Sequence, residues 1–246
     1  MAATVTLGIS TASTTNATSY ASGSFTPAVG DVLLVFAAVS GNTSGSPTVT
    51  DSLTQSTYTQ IGSGVLKNSS ADMIYAFISN GFCTNTTSRT VTIASLPATP
   101  SGATVVVFRI AGLSKAGLAA VRQSGSQANQ ALSTTPAPTF TGAALTTNPV
   151  LGVMANETNP PANTIPASFT LGANSGYATP TEGTQSVFIN SGFTSSTVTW
   201  GSTVPTAFGD IVVELDATSL LVGDEHYVEP RTLKHTPAEP DITVWQ

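Results

Sequence analysis

The sequence predicts an all-β protein: an antiparallel, jelly-roll-like β-sandwich of two pseudo-repeated halves, followed by an extended C-terminal tail. Three observations lead there. Helical periodicity is nearly absent. Short β-type runs bounded by Gly, Pro, Asn or Ser recur along the chain. Polarity comes from hydroxyls rather than charges: there are 41 Thr and 29 Ser among 246 residues, while charged residues make up only 8%. Threonine favours strands, and Ser, Gly and Asn favour turns. With 40% apolar residues the chain has material for a core and is not of disordered composition.

Taken in order, strands are expected near Thr4–Ile9, Asp31–Val39, Tyr58–Ile61, Met73–Ser79, Thr90–Ile93 and Thr104–Ile110. Further strands are expected near Ala120–Gln123, Val150–Ala155, Ser168–Leu171, Gln185–Ile189, Thr197–Trp200 and Asp210–Leu215. Leu113–Val121 is too short and too Gly-interrupted for a helix. Many short strands at this spacing indicate a sandwich or barrel. A degenerate repeat runs through them. Phe77-Ile78-Ser79-Asn80-Gly81-Phe82 matches Phe188-Ile189-Asn190-Ser191-Gly192-Phe193, and Thr90-Val91-Thr92-Ile93 matches Thr197-Val198-Thr199-Trp200. Residues 28–112 and 148–216 therefore share a strand order. They form either two small tandem sandwiches or one interleaved jelly roll; the jelly roll is preferred, because strand-like pieces fill Gly112–Asn148 and no charged linker intervenes.

Residues 1–216 make up the sandwich and 217–246 the tail. The tail holds Asp224, Glu225, Glu229, Arg231, Lys234, Glu239 and Asp241, and both histidines, His226 and His235. Pro230, Pro237 and Pro240 favour an extended path. It ends in the β-prone Ile242-Thr243-Val244-Trp245-Gln246. Such a segment either packs back on its own domain or docks on a neighbour by strand addition. Its candidate partner-binding residues are Tyr227, Pro230, Arg231, Ile242, Val244 and Trp245.

Several function classes fall away. The net charge is −6, and the five Lys and Arg of the first 216 residues do not cluster, which argues against nucleic acid. No apolar run approaches the ~20 residues of a membrane-spanning helix. The N-terminus lacks a basic and an apolar region, so no secretory signal is expected, and the five N-x-S/T sequons are read as accidents of composition. The single Cys83 excludes an internal disulfide and reads as a small buried hydrophobe. No P-loop, G-x-S-x-G, H-E-x-x-H or EF-hand pattern occurs, and no His precedes position 226. No catalytic residue, cofactor or metal is expected.

Asp210, Glu214 and Asp216 are the best acidic constellation. They share one strand face opposite Ile211, Val213 and Leu215, and are expected on the solvent side. Asp51 and Asp72 read as turn acids, and Arg109 as an ion-pair partner for one of these carboxylates. Tyr58 and Tyr177 lie in Ser/Thr-rich, Gly-punctuated surroundings and are the candidate exposed aromatics, but packing at strand ends is the expected role.

The run Val29-Gly30-Asp31-Val32-Leu33-Leu34-Val35-Phe36, then Val49-Thr50-Asp51-Ser52 and Thr57-Tyr58-Thr59, then Gly102-Ala103-Thr104-Val105-Val106-Val107, resembles a β-sandwich module of tailed-phage virion proteins and some bacterial surface proteins. The resemblance spans roughly residues 25–216. It implies a non-enzymatic structural protein on the capsid surface of the virion: a decoration or cement protein that binds the major capsid protein and forms a homo-oligomer, with a trimer expected. The alternative it implies is a glycan-binding tail-fibre or adhesin domain.

Overall fold

The computed structural model describes residues 2–42, 45–68, 72–96, 100–161 and 163–217. The first half holds β1 (Thr4–Ser13), β2 (Tyr20–Ala21), β3 (Val32–Ser40), β4 (Thr48–Asp51), β5 (Tyr58–Gln60), β6 (Val65–Asn68), β7 (Asp72–Ser79), β8 (Val91–Ala94) and β9 (Gly102–Ala111). The second holds β10 (Val121–Gln130), β11 (Val150–Asn156), β12 (Thr170–Ala178), β13 (Thr181–Ile189) and β14 (Phe208–Leu215). The all-β class is as the sequence predicts. Leu113–Val121 contains only a 3-10 turn at Gly117–Ala120.

The strands form two large antiparallel sheets and one small one. The first large sheet runs β1-β9-β3-β7-β5, with β6 also pairing β7; the second runs β10-β14-β11-β13-β12; the small sheet is β2-β8-β4. The two large sheets repeat one strand order position by position. Each is built from one half of the chain, so the halves do not interleave as the preferred jelly roll requires. They are tandem units, in keeping with the tendency of consecutive strands to be spatial neighbours.

Three apolar clusters set the layers. The central one joins the large sheets through Val32, Leu34, Phe36, Phe108 and Ile110 from the first and Leu151, Val153, Ile211, Val213 and Leu215 from the second. Phe108 is its hinge point: its ring meets Phe36 edge-on at 6.2 Å and Phe188 of the other half at 5.8 Å. A second cluster lies between the outer face of the first sheet and the small sheet, with Val35, Tyr75, Phe77, Val91 and Ile93. The third lies outside the second sheet, where Phe140, Val198, Trp200 and Val204 cover Val150, Met154 and Val212. Both faces of β3, β7, β11 and β14 are therefore covered, which is why these strands are continuously buried and their apolar runs are nearly unbroken.

The residues predicted as a strand at Thr197–Trp200 make a looser cover. Thr197 bridges Thr139, and the Val198 and Trp200 amides donate to the carbonyls of Pro138 and Pro136. In the first half β8 takes the corresponding place with regular ladders to β2 and β4. The quoted repeat motif is out of structural register. Phe77 faces the small sheet, whereas Phe188 packs on the central core. A slip of one residue reverses every side chain on a strand, so the halves repeat in strand order and not residue by residue.

Candidate functional site

All five Lys and Arg of the first 216 residues form ion pairs within the chain. Two of these pairs explain the motif residues. Asp31, after the positive-φ Gly30, accepts the Ala28 amide at 2.7 Å and Arg109 Nε at 2.8 Å, and so closes the turn into β3. Asp51 ends β4 and accepts the amides of Leu53, Gln55 and Ser56, with the buried Arg89 guanidinium 3.6 Å away. Arg109 thus pairs with Asp31, not with any acid the sequence nominated.

The strongest polar node joins the two halves. Lys67 on β6 extends to Glu182 on β13, to Asp72 at 3.0 Å and to the Asn156 carbonyl at 3.4 Å. Lys67 and Glu182 are each about 1% exposed. Tyr177 donates to Ser40 Oγ at 2.8 Å, and Ser40 donates to Glu182 at 3.3 Å. Burial pushes the Glu182 carboxyl up to about 7 against the pull of Lys67. Burial disfavours the Lys67 ammonium, but Glu182 and Asp72 outweigh it and hold its pKa above the ordinary lysine value. Tyr177 is buried here, its ring over Gly102, in the packing role the sequence favours for it over exposure. Asp72 is no isolated turn acid but a member of this node.

The acids of β14 are also not on a solvent face. Alternation holds: Ile211, Val213 and Leu215 point to the central core. The opposite face, however, is covered by the second half's outer layer. Glu214 is fully buried. It accepts from Arg122 at 2.6 Å, the Leu145 amide at 2.9 Å, Asn148 at 2.7 Å and Gln123. Asp216 pairs with Lys115 at 2.6 Å. Asp210 and Glu214 stand four residues apart on one strand, which is about 13 Å, beyond the ~9.5 Å that glycosidase carboxylate pairs reach. Their geometry is that of structural acids.

Asp210 is the least compensated. Its Oδ1 accepts the Gln127 amide at 2.9 Å, while Oδ2 is buried without a hydrogen-bond partner. Burial pushes its pKa well above the usual carboxylate value. The folded state therefore binds this proton more tightly than the unfolded chain. The stability it contributes is full below the unfolded value near 4 and is lost as pH rises through the raised folded value. Asp210→Asn, isosteric and uncharged, is expected to remove that decline, which is on the order of 1 kcal/mol per pH unit while it lasts. Urea midpoints of both proteins from pH 4 to 9 check this; parallel curves would contradict it.

A cleft lies in the first half, between the edge of β4 and the edge formed by β5 and β6. It has a volume of about 900 Å3. Tyr58 lines it, together with Thr48, Thr50 and Ser56, over a floor that includes Val49, Met73 and Phe77. The edge strand breaks at Gly62, in the positive-φ region, and Gly64, where a Cβ would lie 2.6 Å from the Met73 and Tyr75 side chains. The sequence named Tyr58 but missed the cleft, which depends on this glycine-marked break and on a short edge strand, β4, that polar composition hides. Cys83 is buried, and burial raises its thiol pKa. The tail residues Tyr227, Pro230, Arg231, Ile242, Val244 and Trp245 lie outside the described residues.

Among the described residues, no group of three His, Cys, Asp or Glu side chains is placed to hold a metal ion, and no helix is long and apolar enough to cross a membrane. Comparison with protein-family models, with curated proteins and with solved structures finds no match for this chain.

Proposed function

We propose that the chain is a non-enzymatic structural protein of a bacteriophage virion: a decoration or cement protein that binds the major capsid protein on the capsid surface as a homo-oligomer. One observation supports this reading above the others. The five cations of residues 1–216 are all spent on ion pairs within the chain, and the nominated acids Asp51, Asp72 and Glu214 are buried among structural partners. These charged groups thus hold sheets and turns together. A body of that kind suits passive attachment to a protein lattice better than turnover of a substrate.

The compositionally distinct segment from residue 217 onward supplies the attachment in this reading. A variant lacking Val222–Gln246 is expected to keep the melting temperature of the full chain and to lose association with particles. Co-sedimentation of both proteins with purified capsids measures this. Undiminished binding of the shortened chain would overturn the role given to the tail, and a full chain that never sediments with capsids would overturn the proposal itself.

A further inference from the structure

Lys67 and Glu182 stand 115 residues apart in sequence, one in each half, and Nζ lies directly against Oε2. Both side chains are about 1% exposed. An amine and a carboxyl held in contact and shielded from water are the two reactants of an amide bond. Three features of their surroundings fit that reaction. First, a second carboxylate is in place to act as base: Asp72 Oδ2 stands 3.0 Å from Nζ. Its Oδ1 accepts the Gly41 amide at 3.0 Å. Its side chain is 13% exposed and lines a small cleft with Gly41, Ser101 and Thr181, so a proton gained there reaches solvent. Second, burial pushes the Glu182 carboxyl up to about 7, so a large share is the neutral acid at neutral pH, and an amine adds to an acid far more readily than to a carboxylate. The Ser40 hydroxyl donates to Oε2 at 3.3 Å and the Thr184 hydroxyl to Oε1 at 3.5 Å, the oxygens on which a tetrahedral intermediate places its charge. Third, two buried charges carry a desolvation cost that a neutral amide does not, and the water formed leaves for bulk solvent.

We propose that the Lys67 amine and the Glu182 carboxyl condense into an amide that ties the two halves together covalently. Asp72 takes one proton from the Lys67 ammonium. The freed nitrogen lone pair adds to Cδ of the protonated Glu182. The second nitrogen proton passes to the departing hydroxyl, the C–O bond breaks, and water leaves. One ammonium and one carboxylic acid thus give one amide, one water and one proton, which Asp72 hands to solvent. No oxidant, reductant or cofactor is required. Burial opposes the charge on Lys67, but Glu182 and Asp72 hold its proton in place. The free amine is therefore rare and the condensation slow, and one turnover per chain completes it. The ion pair is the form of freshly made chain, on which stability comparisons among variants of the pair are made; the amide is the matured form.

The test is the intact mass of the full chain, measured when freshly purified and again through a prolonged incubation at physiological temperature. The expected result is a species one water lighter that accumulates with time. In its digest trypsin no longer cuts after Lys67, and tandem mass spectrometry after a second protease finds Lys67 joined to Glu182. Asp72→Asn keeps the shape of the side chain and removes the base, and is expected to slow the accumulation about a hundredfold. Circular dichroism checks that this variant is folded. A mass that stays unchanged through the incubation overturns the proposal, and that measurement needs no variant. So does a lighter species whose link maps elsewhere, to Asp72 in place of Glu182 or to a cyclised Asp in a loop. A folded Asp72→Asn variant that links at the parent rate overturns the role given to Asp72 as base.

Discussion

Lys67→Met is expected to destabilise the fold by about 3–5 kcal/mol, because it strands the buried Glu182 carboxylate between the two halves. Lys67 carries its ammonium into this node, where it meets Glu182 from the second sheet, Asp72 from the first and the Asn156 carbonyl. Removing it leaves two carboxylates close together in a region of low polarity. The deletion therefore costs more than the pair itself contributes. Replacing the partner as well separates the two effects: Lys67→Met with Glu182→Leu is expected to recover most of the loss, since an apolar pair of similar volume is often neutral or better. Urea unfolding followed by circular dichroism measures both. A single variant within about 1 kcal/mol of the parent, on the scale of an exposed pair, would mean that the node does not hold the halves together. Because Lys67 and Glu182 belong to different sheets, the single variant is also expected to loosen the contact between halves before either half melts. Earlier hydrogen exchange in β6 and β13 than in β3 and β11 would report that order.

How far the sequence reaches is visible at individual residues. The long buried strands β3, β7, β9, β11 and β14 were legible, because an unbroken apolar run fits few other places. The repeated strand order was legible as well, though not its register. Phe77 and Phe188 match in sequence and face opposite layers. The choice between interleaved and tandem halves was not legible, since it turns on which edges pair, and Thr-rich edges look alike. Strand β12 was half hidden by Gly172 and Gly176. Gly172 admits the Phe108 ring, and at Gly176 a Cβ would lie 2.0 Å from the Glu182 carbonyl oxygen. Glycine in a strand commonly marks such close approaches, but in a Gly-rich chain it reads as a turn. The largest misreading concerned Asp210 and Glu214. Alternation correctly put them opposite Ile211 and Val213, yet period two identifies a face and not what lies over it. The covering layer, residues 134–140 and 197–204, is mostly irregular and gives no periodic signal. Of the candidate site, Tyr58 was legible as a residue, and its groove was not.

That same irregular layer carries the second large expected effect. Among the described residues Trp200 is the largest fully buried side chain, and it helps seal the outer face of the second sheet. Its ring stands over Gly152 of β11, where a Cβ would come within 3.3 Å of it. Its Nε1 donates to Gln185 Oε1 at 2.8 Å, and Gln185 Nε2 donates to the Asn163 carbonyl at 2.8 Å. Trp200→Ala therefore opens a cavity worth about 3–5 kcal/mol and orphans a buried amide oxygen worth about 1–3 kcal/mol. Trp200→Phe keeps most of the ring and removes only the N–H, so its loss should approach the smaller figure alone. The difference between the two variants in urea unfolding apportions packing against hydrogen bonding. Equal losses would mean that the Gln185 contact dominates and the ring fills little. The expected inequality would explain how a layer with almost no regular ladder still closes a core: Trp200, tied to β13 through one glutamine, anchors with Phe140, Val198 and Val204 the cover that β2, β4 and β8 provide as a sheet in the first half.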